Sequence, residues 1–126
     1  MGKQAFQSPL SAKEALAKGQ MLRVSPRKLS LVAGLIRHKP VAQALAHLTF
    51  SKKRIAQEVR KVLLSAISNA ENNYGLDVDQ LYVSHISVGR ALLMKRVQAR
   101  AKGRASRIEK PYSHLRIVVK EREEIA

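Results

Sequence analysis

The stretch Arg90-Ala-Leu-Leu-Met-Lys-Arg-Val-Gln-Ala-Arg-Ala-Lys-Gly-Arg-Ala-Ser-Arg107 contains Arg90, Lys95, Arg96, Arg100, Lys102, Arg104 and Arg107 and no acidic residue. Uncompensated charges are too costly to bury, so this segment lies outside whatever core the chain builds. Its cations repel one another along a free chain, and they gain most against a polyanion, of which a phosphate backbone is the commonest. The stretch therefore reads as a nucleic-acid-binding arm.

Its flanks give it a shape. Leu81-Tyr-Val-Ser-His-Ile-Ser-Val88 and His114-Leu-Arg-Ile-Val-Val-Lys120 are rich in β-branched and aromatic residues, a composition that favours strands. Paired antiparallel, they fold back near residue 100, and Gly103 is the nearest residue suited to positive φ. The basic stretch becomes the tip and shanks of a long hairpin. At ~3.3 Å per residue, the shank from Val88 to Ala101 projects roughly 40 Å, further than a small core needs.

The rest of the composition narrows the partner. Lys and Arg outnumber Asp and Glu 24 to 9 in 126 residues, a net charge of +15 with a pI near 10.9. That balance points to nucleic acid, and the length points to one domain. A basic membrane-surface protein needs bulky aromatics opposite its cations, whereas aromatics make up only 4% of this chain. With no cysteine, disulfides, thiolate metal sites and thiol catalysis are excluded together. His38, His47, His85 and His114 have no ligand spacing, so neither a metal nor a cofactor is expected. No apolar run reaches the ~18 residues of a membrane span, and the N-terminus has no signal-like apolar core, so a cytosolic, non-membrane protein is expected.

Along the chain, Met1 to Leu10 shows no periodicity and reads as a loose tail. Ser11-Ala-Lys-Glu14 has the form of a capping box that opens a short helix closed by Gly19. Against it, Gln20-Met-Leu-Arg-Val24 reads as a strand that Ala15 to Lys18 can extend. Ser25-Pro26 starts a helix with apolar face Leu29, Val32, Ala33, Leu35 and Ile36. Pro40 interrupts it, and Val41, Ala44, Leu45 and Leu48 define a second helix over 41–48, broken at Thr49-Phe50-Ser51. Ser51 caps the longest helix, whose face of Ile55, Val59, Val62, Leu63, Ala66, Ile67 and Ala70 runs out to Gly75. Asp77 and Asp79, with no third carboxylate nearby, belong to a plain turn.

Charge is segregated as well as abundant. Between the consecutive acids Glu14 and Glu58 lie nine basic residues: Lys18, Arg23, Arg27, Lys28, Arg37, Lys39, Lys52, Lys53 and Arg54. One such run is usually a solvated face, but two acid-free tracts in one small chain describe a broad polyanion-binding surface. The acidic tail Glu121-Arg-Glu-Glu124 is expected to point away from it. No Ser/His/Asp order, glycine-rich phosphate loop or carboxylate–histidine pair is present, so an enzyme is not expected. The competing class is an architectural DNA-binding protein with a basic β-arm. Such arms carry an apolar or proline wedge at the tip, and Arg100-Ala-Lys-Gly-Arg104 has none. Small residues between cations suit close packing on folded RNA.

Taken in order, Arg23-Val-Ser-Pro-Arg-Lys-Leu29, Ser65-Ala-Ile-Ser-Asn-Ala-Glu-Asn-Asn73, Leu76-Asp-Val-Asp79, Met94-Lys-Arg96, Arg100-Ala-Lys-Gly-Arg-Ala105 and Ser113-His114 closely resemble the bacterial-type family of large-subunit ribosomal protein number twenty-two, from about residue 14 to residue 120. The resemblance implies an α+β fold: three helices on a small three-stranded antiparallel sheet, with a long extended β-hairpin arm. It favours the strand around Gln20 to Val24 over the short helix. It implies one domain, with a tail over 1–12, a body formed by 13–80 and 112–122, and a hairpin over 81–119 whose tip lies near 100–104. It also implies binding to large-subunit (23S) ribosomal RNA, help in subunit assembly, neighbouring ribosomal proteins as partners, no homo-oligomer, and a hairpin lining the exit tunnel of the nascent polypeptide.

On this reading the RNA-binding residues are Arg23, Arg27, Lys28, Arg37, Lys39, Lys52 and Lys53 in the body, Arg90, Lys95, Arg96, Arg100, Lys102, Arg104, Arg107 and Lys110 on the arm, and Ser113 and His114 at its base. The tunnel-lining residues are Met94, Lys95, Arg96, Arg100, Ala101, Lys102, Gly103 and Arg104. One departure stands out: many members carry an acidic-Gly-Pro element where this chain has Val88-Gly89-Arg90-Ala91-Leu92-Leu93, so the outgoing shank is more basic and lacks the proline.

Overall fold

The structure, a computed structural model, describes residues 10–122 together with Gly2 and Ala5. Most of the expected N-terminal tail, and Glu123 and Glu124 of the acidic tail, lie outside the described residues. The elements run β1 (Glu14–Leu22), α1 (Pro26–Ile36), α2 (Val41–Phe50), α3 (Ala56–Tyr74), β2 (Leu81–Ala99) and β3 (Ala105–Glu121), with short 3₁₀ turns at Val78–Gln80 and Ala101–Gly103. Three helices therefore pack against an antiparallel sheet of order β1-β3-β2, the expected α+β class.

The chain settles the choice at its start in favour of a strand. Ser11 to Glu14 is a turn, closed by the Glu14 amide on the Ser11 carbonyl at 3.2 Å, and β1 begins at Glu14. It also ends earlier than expected, at Leu22 rather than Val24. The strand buries a period-two face of small residues, Ala15, Ala17 and Gly19. Small side chains let α3 approach closely, and a Cβ placed on Gly19 would stand 2.8 Å from Val62 Cγ2. That clearance is why the third inward position is glycine.

Ser25 caps α1 as expected, its Oγ accepting from the Lys28 amide at 3.3 Å, with Pro26 in the first turn. Two boundaries differ. Helix α2 continues through Thr49 and Phe50, because the Thr49 hydroxyl bonds back to the Leu45 carbonyl at 2.8 Å and stays within the helix. Ser51 does not cap α3. Its Oγ accepts from the Lys53 amide at 3.3 Å, turning the loop, and α3 starts at Ala56 behind Ile55. Beyond Gly75, the Asp77 carboxylate accepts from the Asp79 amide at 3.1 Å, the plain turn expected there.

One core unites the helices and the sheet. Leu29, Val32, Ala33 and Ile36 of α1, Val41, Ala44 and Leu48 of α2, and Val59, Leu63, Ala66 and Ala70 of α3 close over Ala15, Leu81, Val83, Leu115, Ile117 and Val119. Leu35, expected on this face, is 45% exposed. Among the described residues no helix lies on the opposite face of the sheet.

β2 and β3 pair from Leu81↔Glu121 to Ala99↔Ala105, but not in one register. Between Val83 and His85, and again between Arg90 and Leu93, β2 has one residue more than β3. These bulges, with pairing that begins at Glu121, move the fold-back from the expected residue 100 to Lys102. Lys102 (φ 62°) and Gly103 (φ 71°) both adopt the left-handed conformation there. The last rung of β1 is Leu22↔Ser113, and beyond it the β2–β3 ribbon continues alone.

Candidate nucleic-acid interface

The ribbon beyond the body is set by its register. Directly opposed residues share a face, so Met94, Arg96 and Gln98 lie with Lys110, Ile108 and Ser106, while Lys95, Val97 and Ala99 lie with Glu109, Arg107 and Ala105. Lys95 thus has a carboxylate directly across from it, which the linear acid-free stretch concealed. Arg90, Lys95, Arg96, Arg100, Ala101, Lys102, Gly103, Arg104, Arg107 and Lys110 are exposed, and Met94 is half-buried. At the tip the Arg100 amide donates to the Arg104 carbonyl at 2.7 Å, and Arg100 Nε donates to Ser106 Oγ at 3.1 Å. The guanidinium is thereby held along the ribbon.

In the body the predicted residues separate. Arg23, Arg27, Lys28, Lys52 and Lys53 are exposed, but Arg37 and Lys39 have structural partners. Arg37 Nη2 donates to the Ile86 carbonyl at 3.2 Å, tying the end of α1 to β2, and Lys39 Nζ lies 3.3 Å from His47 Nε2. Ser113 leaves the surface altogether: it is fully buried, with its hydroxyl donating to the Val24 carbonyl at 2.7 Å, so it cannot offer that group to RNA. His114, on the alternate face of β3, is exposed.

Two groupings were not legible as such in the sequence. The first is a cleft of about 910 Å³ between the end of β1, α1 and the loop into α3. Its cations are Arg23, Lys28, Lys53 and Arg54, and Met21, Leu22, Val24, Leu31 and Ile55 supply its apolar part. The one acid in its lining, Glu58, pairs with Lys61 at 3.7 Å. Lys28 stands in the first turn of α1, where the helix dipole adds to the positive field. The second grouping follows from strand alternation: Lys110, Tyr112, His114 and Arg116 occupy one face of β3, with Lys18 opposite Arg116 on β1. Arg116 Nε is buried without a hydrogen-bond partner among the described residues. This is the sheet face that the helices leave uncovered. The available signal was the every-second-residue spacing of those four side chains. Among the described residues no group of side chains is suited to hold a metal ion.

The family model described as ribosomal protein L22p/L17e matches residues 17–120. The large ribosomal subunit protein uL22 of Rhodospirillum centenum is 62% identical over 122 residues, covering 97% of this chain and 92% of that one. Its namesake in Gluconacetobacter diazotrophicus is 61% identical over 122 residues, covering 97% and 91%. That of Phenylobacterium zucineum is 59% identical over 126 residues, covering each chain in full.

Proposed function

The chain belongs to the ribosomal protein L22p/L17e family, and from that premise we propose that it is a structural constituent of the large ribosomal subunit, bound to the subunit's ribosomal RNA. The observation that carries the reading is the arm. A two-stranded ribbon with no core of its own runs past the Leu22↔Ser113 rung, where Arg90 is exposed, and itself exposes Lys95, Arg96, Arg100, Lys102, Arg104 and Arg107. An isolated ribbon is marginal in water, so it gains its stability from a polyanionic surround. The role is structural rather than catalytic.

The body residues Arg23, Arg27, Lys28, Lys52 and Lys53 hold RNA by neutralising phosphates, and the arm reaches into the subunit. There its tip, Arg100 to Arg104, and the shank Met94 to Arg96 line the exit tunnel of the nascent chain, beside neighbouring ribosomal proteins. The DNA-binding alternative is not favoured, since relatives at this identity are named as large-subunit proteins.

The test is to express the tagged chain in bacteria and separate particles at low salt. Migration with the large subunit is expected, and migration with bulk DNA overturns the reading. Deleting Met94 to Arg96 separates body from arm: an odd number of residues leaves one strand, so the pleat beyond must slip or bulge. The variant is expected to assemble into subunits and to alter pausing or macrolide susceptibility. Normal drug response with unchanged arm density sinks the tunnel assignment alone.

A further inference from the structure

We infer that the cleft between the end of β1, α1 and the loop into α3 holds one unstacked nucleotide of an RNA strand, its base on the apolar floor of Met21, Leu31 and Ile55 and its flanking phosphates on Arg23, Lys28 and Lys53. The inference deepens the RNA-binding reading and rests on it. Charge identifies the class of ligand. Cations enter from three separate segments, and Glu58 is already paired with Lys61. A protein partner would have to bring a matching set of carboxylates, whereas an RNA strand carries its anions at every step.

Phosphate contact alone does not explain the floor. Met21 is 47% exposed and Leu31 61% exposed, so the cleft presents exposed apolar surface together with its cations. Met21 also has φ 56°, a left-handed conformation that non-glycine residues seldom adopt, at the point where β1 loses register between Gly19 and Leu22. Met21, at this kink, is one of the residues that line the cleft. At about 910 Å³ the cleft falls within the roughly 300–1,000 Å³ of small-ligand sites, ample for one nucleotide. Proteins that read RNA in single-stranded regions take up bases splayed from their neighbours, on apolar surfaces or guanidinium planes. Gln57, also in the lining, carries both a donor and an acceptor suited to a base edge.

The experiment uses the full chain and two RNA probes of one sequence, a short single strand carrying 2-aminopurine and its perfect duplex, at several salt concentrations. Leu31→Ser changes no charge, and because Leu31 is largely exposed the fold is expected to survive, as thermal melting checks. Single-strand affinity is expected to fall about tenfold with the salt slope unchanged, against about twofold or less for the duplex, and Leu31→Met is expected to restore it. Lys28→Gln with Lys53→Gln is expected to lower the salt slope for both probes. Equal losses on the two probes in Leu31→Ser, or no loss on either, overturn the inference and leave the RNA-binding reading in place. Failure of the unmodified protein to bind either RNA overturns both.

Discussion

Ser113 and Val24 are separated by 89 positions in the chain, yet the Ser113 hydroxyl reaches the Val24 carbonyl at 2.7 Å. The bond fixes the corner between β1 and α1 to the root of the arm, and it lies beside the cleft that Arg23 and Val24 line. Ser113→Ala removes the donor and leaves a carbonyl in a buried setting without its partner. A loss of roughly 1–2 kcal/mol is expected, read as a lower midpoint in urea unfolding with unchanged slope. No measurable loss would show that the corner is held by packing alone.

Gly19 and Val62 make a second test of packing. The 2.8 Å clearance leaves no room for a methyl group. Gly19→Ala is expected to destabilise by about 1–3 kcal/mol through overpacking. Combined with Val62→Ala in the same chain, the loss is expected to be smaller than the sum of the two single losses in a double-mutant cycle. Additive effects would locate the strain elsewhere.

Arg27 sits in the first turn of α1, where the helix dipole disfavours a cation and no acid is present. Arg27→Glu is therefore expected to raise stability by about 0.3–1 kcal/mol while weakening RNA binding and lowering its salt slope. Thermal melts and salt titrations of affinity measure the two effects separately. A stability loss contradicts the dipole argument, and unchanged RNA affinity contradicts the assignment of Arg27 to the RNA-facing surface.

The arm and body are expected to differ in hydrogen exchange when the protein is free of RNA. Amides of residues 59–70, on a helix whose inward face is buried, should exchange slowly. Amides from Lys95 to Arg107 lie in a ribbon with almost no buried side chains and should exchange quickly, gaining protection when RNA is added. Slow exchange of the arm in the free protein would mean that it is prefolded.

The parts of the fold that came through from the sequence were those carried by one periodicity in one segment. Helix α3 announced itself because Val59, Val62, Leu63, Ala66, Ile67 and Ala70 repeat at helical steps, and all are buried. The start of β1 did not, because Ala15, Ala17 and Gly19 are poor strand formers chosen for closeness to α3, a demand visible only once the two elements meet. The turn at Lys102 was displaced by bulges that leave no mark in composition. For the candidate interface, exposure of the arm cations followed from charge alone. The cleft did not, since Arg23 and Lys53 are thirty residues apart in sequence and only the packing of α1 between them closes the site. Ser113 was misplaced because a serine beside an exposed histidine looks equally polar, although strand alternation puts the two on opposite faces.

The second bulge, between Arg90 and Leu93, falls just past the Leu22↔Ser113 rung, where the ribbon parts from the body. Bulges bend a strand and increase its local twist, so this one acts as a wrist: it governs where the arm points, while the run of rungs from Leu93↔Pro111 to Ala99↔Ala105 governs how far it extends. Bearing and reach are then separately adjustable. Removing the extra residue at Ala91 or Leu92 swings an arm of nearly unchanged length, and removing one opposed pair further out shortens it on its original heading.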